Sequence, residues 1–137
     1  MATPCVKEKL DYSAERVWEI VGDFGNTSWF PGANAEIQGQ GPGMVRLMGP
    51  PEGDRIREEL ISIDPGKRTL TYIIPENIPF PVTGYRATMT VTPGGADSCE
   101  LEWSCECEPQ GATEAEVVGQ IEGMYQMMVG WLRDHLG

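Results

Sequence analysis

Hydrophobic and polar residues alternate along this chain with two periods, one typical of a helix and the other of β-strands. Over 113–136, apolar residues recur at steps of three and four positions. On a helical wheel they fill one broad arc, which predicts a helix that packs along one face. Thr113 and Glu116 have the spacing of a capping box, so the start of the helix is predicted as well. The apolar arc consists of Val117, Val118, Ile121, Met124, Tyr125, Met128, Val129, Leu132 and Leu136.

Most of the remaining chain has a period of two, which is typical of strands with one apolar and one polar face. The alternation predicts seven strands, and the last two of them are the clearest. Between the first two strands, Ser13 is expected to cap a short helix over 14–21, and 26–30 to form a second helical turn. The predicted strands are 5–12, 35–40, 44–48, 55–64, 69–74, 85–92 and 99–108.

A single antiparallel sheet with one apolar face needs a cover, and the C-terminal helix is the only predicted element large enough. We therefore predict an α+β grip, in which a curved seven-stranded antiparallel sheet wraps around the long C-terminal helix. Two short helices are expected between strands 1 and 2. The length and the absence of a linker predict one domain over 1–137.

The charge balance argues against some classes of binding partner. The chain has 21 acidic and 10 basic residues and a net charge of −11. This charge repels phosphate backbones and anionic membrane surfaces, so we expect no nucleic-acid partner. There is no apolar run long enough to span a bilayer and no signal-peptide core at the N-terminus, which predicts a cytoplasmic protein without membrane insertion.

The cysteine and histidine pattern predicts neither a metal site nor a cofactor site. Cys5, Cys99, Cys105 and Cys107 lack the usual zinc spacings, and buried thiols in a reducing compartment explain them better. His135 is the single histidine and falls in the last turn of the predicted helix. No glycine-rich phosphate loop precedes a helix, so we expect no nucleotide cofactor.

Three segments carry a resemblance to a known superfamily. They are SAERVWEIVGDFGNTSWFPG (13–32), REELISIDPGKRTLTYIIPENIPFPVTGYRATMTVTP (57–93) and ELEWSCECEP (100–109). In their order and spacing they resemble the START-like (SRPBCC) superfamily, which includes the major birch pollen allergen, plant abscisic-acid receptors and bacterial polyketide cyclase/dehydrase-like proteins. The bacterial branch looks nearest.

The resemblance implies a helix-grip fold with a cavity between sheet and helix that holds a hydrophobic small molecule. By position, the loops GPPEG (49–53) and PENIPFPV (75–82) correspond to the loops that close over the ligand in the plant receptors. Pro50, Pro51, Pro79 and Phe80 are thus expected at the pocket mouth. The expected ligand-binding residues are Glu58, Leu60, Tyr72, Tyr85, Ala87, Met89, Leu101, Trp103, Ile121, Met124, Tyr125 and Met128.

Glu58 is the most informative polar residue, because it shares an alternation with Ile56 and Leu60. It corresponds to a cavity-lining glutamate of the plant receptors. An inward carboxylate would be an acid/base group or a polar anchor for a ligand. Alternatively, it pairs with an inward arginine or lies exposed at a bulge. Glu8 poses the same question more weakly.

Other side chains have simpler explanations. Arg46, Arg55, Arg57 and Arg86 are assigned to outer faces, where cross-strand ion pairs would explain them. The aromatic residues Trp18, Trp29 and Phe30 come from the helical segment and are expected to close one end of the cavity.

Three functions remain open. The first is a carrier or sensor that binds a hydrophobic or amphipathic small molecule, such as a lipid or polyketide, without chemistry. The second is a polyketide cyclase or dehydratase that uses Glu58 with Tyr72 or Tyr85 as acid and base. The third is a protein-interaction domain of the co-chaperone kind. Gly119, Gly123 and Gly130 lie opposite the apolar arc, where they would allow close approach of a second subunit or let the helix flex when a ligand enters. The chain is expected to be a monomer or homodimer.

Overall fold

One seven-stranded sheet and two helices build the fold. The computed structural model of the chain describes residues 1–32, 34–49, 53 and 55–137. The strands are β1 (Cys5–Leu10), β2 (Ala35–Gln38), β3 (Val45–Met48), β4 (Ile56–Asp64), β5 (Thr69–Ile73), β6 (Val82–Gly95) and β7 (Ser98–Pro109). The helices are α1 (Ala14–Val21) and α2 (Glu114–Leu136).

The sheet is antiparallel throughout, and its strand order is β1-β7-β6-β5-β4-β3-β2. β1 and β2 therefore lie at opposite edges, although they follow one another in the chain. The segment with α1 connects these edges, and α1 packs against β6 and β7. This arrangement confirms the predicted helix-grip fold.

The C-terminal helix begins after Thr113, as predicted, and it covers the sheet. The Thr113 side chain accepts a hydrogen bond from the backbone nitrogen of Glu116, and the Glu116 side chain accepts one from the backbone of Thr113, which completes the capping box. Six residues of the apolar arc are buried in the core. They are Val117, Ile121, Tyr125, Val129, Leu132 and Leu136.

The second short helix that the sequence predicts is not formed. Residues 23–32 make two hydrogen-bonded turns, closed by Asn26 N to Asp23 O and by Phe30 N to Thr27 O. The Asn26 side chain accepts hydrogen bonds from the backbone nitrogen and the hydroxyl of Ser28. Such local side-chain bonds compete with helical ones, and a segment this short cannot offset the nucleation of a helix.

A β-bulge explains the imperfect alternation of β4. The pairing of β4 with β5 shifts between Leu60 and Ser62, so that Ile61 is an extra residue in the ladder. Before the bulge, Leu60 pairs with the buried Tyr72, and after it Ile63 pairs with the buried Leu70. Ile63 therefore packs against the core although its position in the sequence suggests the outer face.

Candidate functional site

A cleft lies between the concave face of the sheet and the middle of α2. Its volume is about 180 Å³, and its walls are largely apolar. Strands β3 to β7 and the residues just after β5 form one wall, α2 forms the other, and two loops contribute Phe30, Pro79 and Phe80. The other lining residues are Met48, Ile56, Glu58, Tyr72, Ile74, Tyr85, Trp103, Met124, Tyr125, Met128 and Trp131.

Glu58 points inward and forms an ion pair with Arg46. The two residues lie directly opposite each other on β4 and β3. The Arg46 Nε donates to Glu58 Oε1 at 2.6 Å, and the side chains are 5% and 12% exposed, respectively. The Glu58 carboxylate therefore lines the cleft and also pairs with an inward arginine, so these two interpretations of Glu58 do not exclude each other.

Arg46 is buried, and its assignment to an outer face is wrong. Its Nη1 donates to the carbonyl oxygen of Phe24 at 3.0 Å, and its guanidinium lies 4.0 Å from the centroid of the Phe24 ring. The rings of Phe30 and Tyr72 lie 5.4 and 5.6 Å away. These aromatic faces and the Glu58 carboxylate compensate for the loss of water around the charge.

Among the other three arginines assigned to outer faces, Arg55 has an ion pair. Arg55 forms an ion pair with Glu36 on β2, with 3.3 Å between its Nη1 and the Glu36 Oε1. It also donates to the carbonyl oxygens of Gly49 and Asn34 at 3.1 and 3.0 Å. The Asn77 side chain donates to the Arg55 carbonyl oxygen at 3.3 Å. Arg55 therefore connects the backbone at Asn34 and Gly49 with the side chain of Asn77.

Three tyrosine hydroxyls meet inside the apolar walls. The Trp103 Nε1 donates to the Tyr72 hydroxyl at 3.1 Å, and the hydroxyls of Tyr85 and Tyr125 hydrogen-bond to each other. Burial raises the pKa of all three tyrosines well above the ordinary value, and the nearby Glu58 carboxylate raises that of Tyr72 further. The three groups are therefore neutral hydroxyls over the physiological pH range.

A bulge in β6 directs Tyr85 into the cleft. The pairing of β6 with β7 shifts between Thr83 and Arg86, and Gly84 between them has a φ of +65°. Regular alternation from the buried Val82 would turn Tyr85 to the outer face. The glycine permits the left-handed backbone that places both side chains inside.

The structure brings nine of the expected site residues together around the cleft. They are Glu58, Tyr72, Pro79, Phe80, Tyr85, Trp103, Met124, Tyr125 and Met128. Five others face inward but lie in the packed core instead of lining the cleft: Leu60, Ala87, Met89, Leu101 and Ile121. Pro50 and Pro51 lie outside the described residues.

Four lining residues were absent from the expected set. The sequence holds a signal for three of them, and the fourth, Met48, is identified only by its strand pairing. Ile56 and Ile74 share inward alternations with Glu58 and Tyr72, and Met48 pairs with Ile56. Trp131 lies three residues after Met128, on the same stripe of α2. Phe30, expected to close one end of the cavity, lies 6.2 Å from Trp131, measured between ring centroids.

The remaining candidate residues lie away from the cleft. Glu8 accepts a hydrogen bond from Arg133 of α2 at 3.4 Å. Cys5 is exposed, whereas Cys99, Cys105 and Cys107 are buried free thiols on the inner face of β7. Within the described ranges, no three metal-binding side chains cluster, and no helix has both the length and the apolarity of a membrane span.

A family model described as "Polyketide cyclase / dehydrase and lipid transport" matches residues 5–137. The chain belongs to this family. The resemblance to the START-like superfamily is thereby confirmed, and family and fold together are those of a ligand-binding domain.

Solved structures agree with this assignment. An uncharacterised protein from Bacillus thuringiensis is 28% identical over 98% of both chains, with a TM-score of 0.85. The protein XoxI from Bacillus cereus is 30% identical over 98% of this chain and 95% of its own, also with a TM-score of 0.85. Norcoclaurine synthase from Thalictrum flavum, in complex with dopamine and hydroxybenzaldehyde, is 23% identical over 98% of this chain and 87% of its own, with a TM-score of 0.73, and shares the fold. No curated protein matched the sequence.

The ion pair at the cleft predicts a strongly non-additive pair of substitutions. Arg46→Met or Glu58→Leu alone should lower the free energy of unfolding by about 3 kcal/mol, because each leaves an unpaired buried charge. The double variant should return to within about 1 kcal/mol of the wild type. Urea denaturation followed by circular dichroism measures all four proteins.

An exposed pair gives the matched control. Lys7 and Glu102 lie on adjacent strands with 3.5 Å between charged atoms, and their side chains are 59% and 40% exposed. Lys7→Met should change stability by less than about 0.5 kcal/mol, since water already screens this pair. Additive losses in the Arg46 and Glu58 variants would contradict the buried ion pair.

The buried thiols and hydroxyls predict a loss of stability at alkaline pH. Burial raises the pKa of the Cys105 thiol to about 12, and also raises that of Tyr72, Tyr85 and Tyr125. Below the unfolded values of 9.0 for the thiol and 10.0 for tyrosine, both states hold these protons. Above these pKa values the unfolded state loses the protons before the folded state does. The free energy of unfolding therefore falls as pH rises, by about 1.4 kcal/mol per pH unit and per group.

Urea denaturation between about pH 8 and pH 11 measures this slope. Cys105→Ala should make it shallower, whereas Cys5→Ala, which removes an exposed thiol, should change it less. A free energy of unfolding that stays constant over this range would contradict the prediction.

Proposed function

We propose that this chain binds a hydrophobic or amphipathic small molecule in the cleft between sheet and α2, as a carrier or sensor without chemistry of its own. The observation that carries the proposal is an apolar cleft of about 180 Å³ in which the few polar groups are a carboxylate and paired hydroxyls. Small-molecule sites have this composition, with apolar walls for affinity and a few fixed polar groups for orientation.

The walls of the cleft support binding of an apolar body. Half of the lining residues are aromatic, and three more are the methionines Met48, Met124 and Met128. Burial of apolar surface contributes roughly 25 cal/mol per Å², so even a small ligand gains several kcal/mol here. The flexible thioethers adapt to the outline of a bound molecule.

The polar side of the cleft supports a fixed orientation of the ligand. The Glu58 carboxylate is held by Arg46, and the Tyr85 hydroxyl by Tyr125. Side chains that are already restrained lose little entropy when a ligand binds. Lipid transport in the description of the family agrees with a binding role.

A second candidate function is a cyclase or dehydratase reaction with Glu58 as base and Tyr72 or Tyr85 as acid. One observation favours it, because these three side chains line the same cleft. Two contacts weigh against it. Glu58 is engaged by Arg46, and the Tyr85 hydroxyl is hydrogen-bonded to that of Tyr125. The raised pKa values of Tyr72 and Tyr85 also make them weak acids.

Filling the cleft should weaken binding. Met128→Trp places a larger side chain among the lining residues and should lower the affinity by roughly 5- to 150-fold, because overpacking costs about 1–3 kcal/mol. Palmitate, progesterone and naphthol serve as probes, and calorimetric titration measures the affinity of each.

The neighbouring residue offers a matched control. Met127 is 47% exposed and does not line the cleft. Met127→Trp should therefore leave the affinity unchanged. The proposal fails if none of the three probes binds the wild type, or if both variants weaken binding equally.

Glu58→Gln separates the carrier from the enzyme. The amide keeps an acceptor oxygen for Arg46 but removes the carboxylate. For a carrier, we expect that a bound probe is recovered unchanged from the wild type and that the variant shifts only its affinity. Mass spectrometry of the ligand after prolonged incubation checks this. Conversion of the ligand by the wild type, with loss of conversion in the variant, would establish the enzyme instead.

A further inference from the structure

From the size, walls and charge of the cleft, we infer that its ligand is a small, neutral aromatic molecule of one or two rings with a hydroxyl or carbonyl group. This inference rests on the proposed function and specifies its ligand class. Long-chain lipids and polyketides with four fused rings do not belong to this ligand class.

The volume limits the size of the ligand. The cleft measures about 180 Å³. An engineered protein cavity of about 150 Å³ holds one benzene ring, and pockets for drug-sized molecules measure roughly 300–1,000 Å³. A one- or two-ring molecule therefore fills the cleft, whereas a four-ring system or a long acyl chain would extend beyond it.

The walls select a flat shape. Trp103 and Tyr125 stack almost in parallel, with 4.6 Å between ring centroids and 12° between planes. Phe80 and Tyr85 are stacked at 6.4 Å and 25°. All four rings line the cleft. A planar ring adds further offset or edge-to-face contacts to these pairs, which a saturated chain cannot make.

The polar groups select a neutral ligand that can form hydrogen bonds. The Tyr72 hydroxyl accepts from Trp103 and keeps its own hydrogen for a ligand oxygen, and the paired hydroxyls of Tyr85 and Tyr125 keep lone pairs for a ligand hydroxyl. An anionic ligand would meet the Glu58 carboxylate, and a cationic ligand would compete with Arg46 for it. The net charge of −11 opposes anions further.

Calorimetric titration of the full chain tests the inference with five probes. Naphthol should bind one molecule per chain. Naphthalene, which lacks the hydroxyl, should bind about 10-fold more weakly, since it forgoes one hydrogen bond. Naphthoate, which adds a negative charge, should bind at least about 10-fold more weakly than naphthol. Progesterone and palmitate should not saturate the site.

Two variants assign the binding to this cleft. Tyr85→Phe should bring the affinity for naphthol down to that for naphthalene, while the affinity for naphthalene stays the same. Met127→Trp should change neither affinity. If Tyr85→Phe instead disrupted the structure of the cleft, the affinities for naphthol and naphthalene would fall equally.

The outcomes separate this inference from the proposed function. Tighter binding of palmitate or progesterone than of naphthol would overturn the small aromatic ligand and leave the carrier function standing. Naphthoate binding as tightly as naphthol would overturn the neutral ligand. If none of the five probes binds, the proposed function fails and the inference fails with it.

Discussion

The packing of one face of α2 against the concave face of the sheet is the interaction on which the rest of this structure depends. Each strand turns its apolar side inward, and an antiparallel sheet of this kind stays folded only if that side is covered. The buried stripe from Val117 to Leu136 supplies the cover. The cleft is the part of this interface that the helix leaves unfilled, beside Met124, Met128 and Trp131. Stability and the candidate site therefore arise from the same contact.

An ion pair in such a place calls for a physical explanation. Two charges that leave water lose more solvation than their attraction returns unless further contacts compensate, and apolar replacements of similar volume are often at least as stable. In this chain the guanidinium of Arg46 has three aromatic rings and a backbone carbonyl around it, in addition to Glu58. No other charged residue in the described ranges is as deeply buried. Stability alone does not explain such a pair, which agrees with the ligand-orienting role that we propose for it.

The sequence predicts the fold well because its strongest periodic signals are also the structural ones. The alternation of β7 places Trp103, Cys105 and Cys107 inside, and the capping box at Thr113 sets the start of α2. The inward orientation of Arg46 cannot be predicted in this way. Because β3 is short and apolar on both faces, the face that Arg46 takes depends on its cross-strand partner, which periodicity cannot reveal.

Periodicity also cannot separate a cavity from a core. Leu60 and Tyr72 are directly paired and face the same side, yet Leu60 packs in the core and Tyr72 lines the cleft. Whether an inward side chain packs in the core or lines the cleft depends on the positions of α2 and of the loop with Phe80 over the sheet. Bulges add a second source of error, because the one after Leu60 brings Ile63 against the core, although the alternation of Ile56, Glu58 and Leu60 would place it on the outer face.

The polar groups of the cleft share one property that bears on its chemistry. Glu58 is bound to Arg46, Tyr72 to Trp103 and Tyr85 to Tyr125, so each polar side chain has a protein partner before any ligand arrives. A general base must reach the proton it removes, and a general acid must release its own readily. Burial raises the pKa of these tyrosines and so makes them poor acids, yet it leaves them good hydrogen-bond donors. The same burial that weakens a catalytic role thus suits a role in recognition, and this is the ground on which we propose a binding protein and not an enzyme.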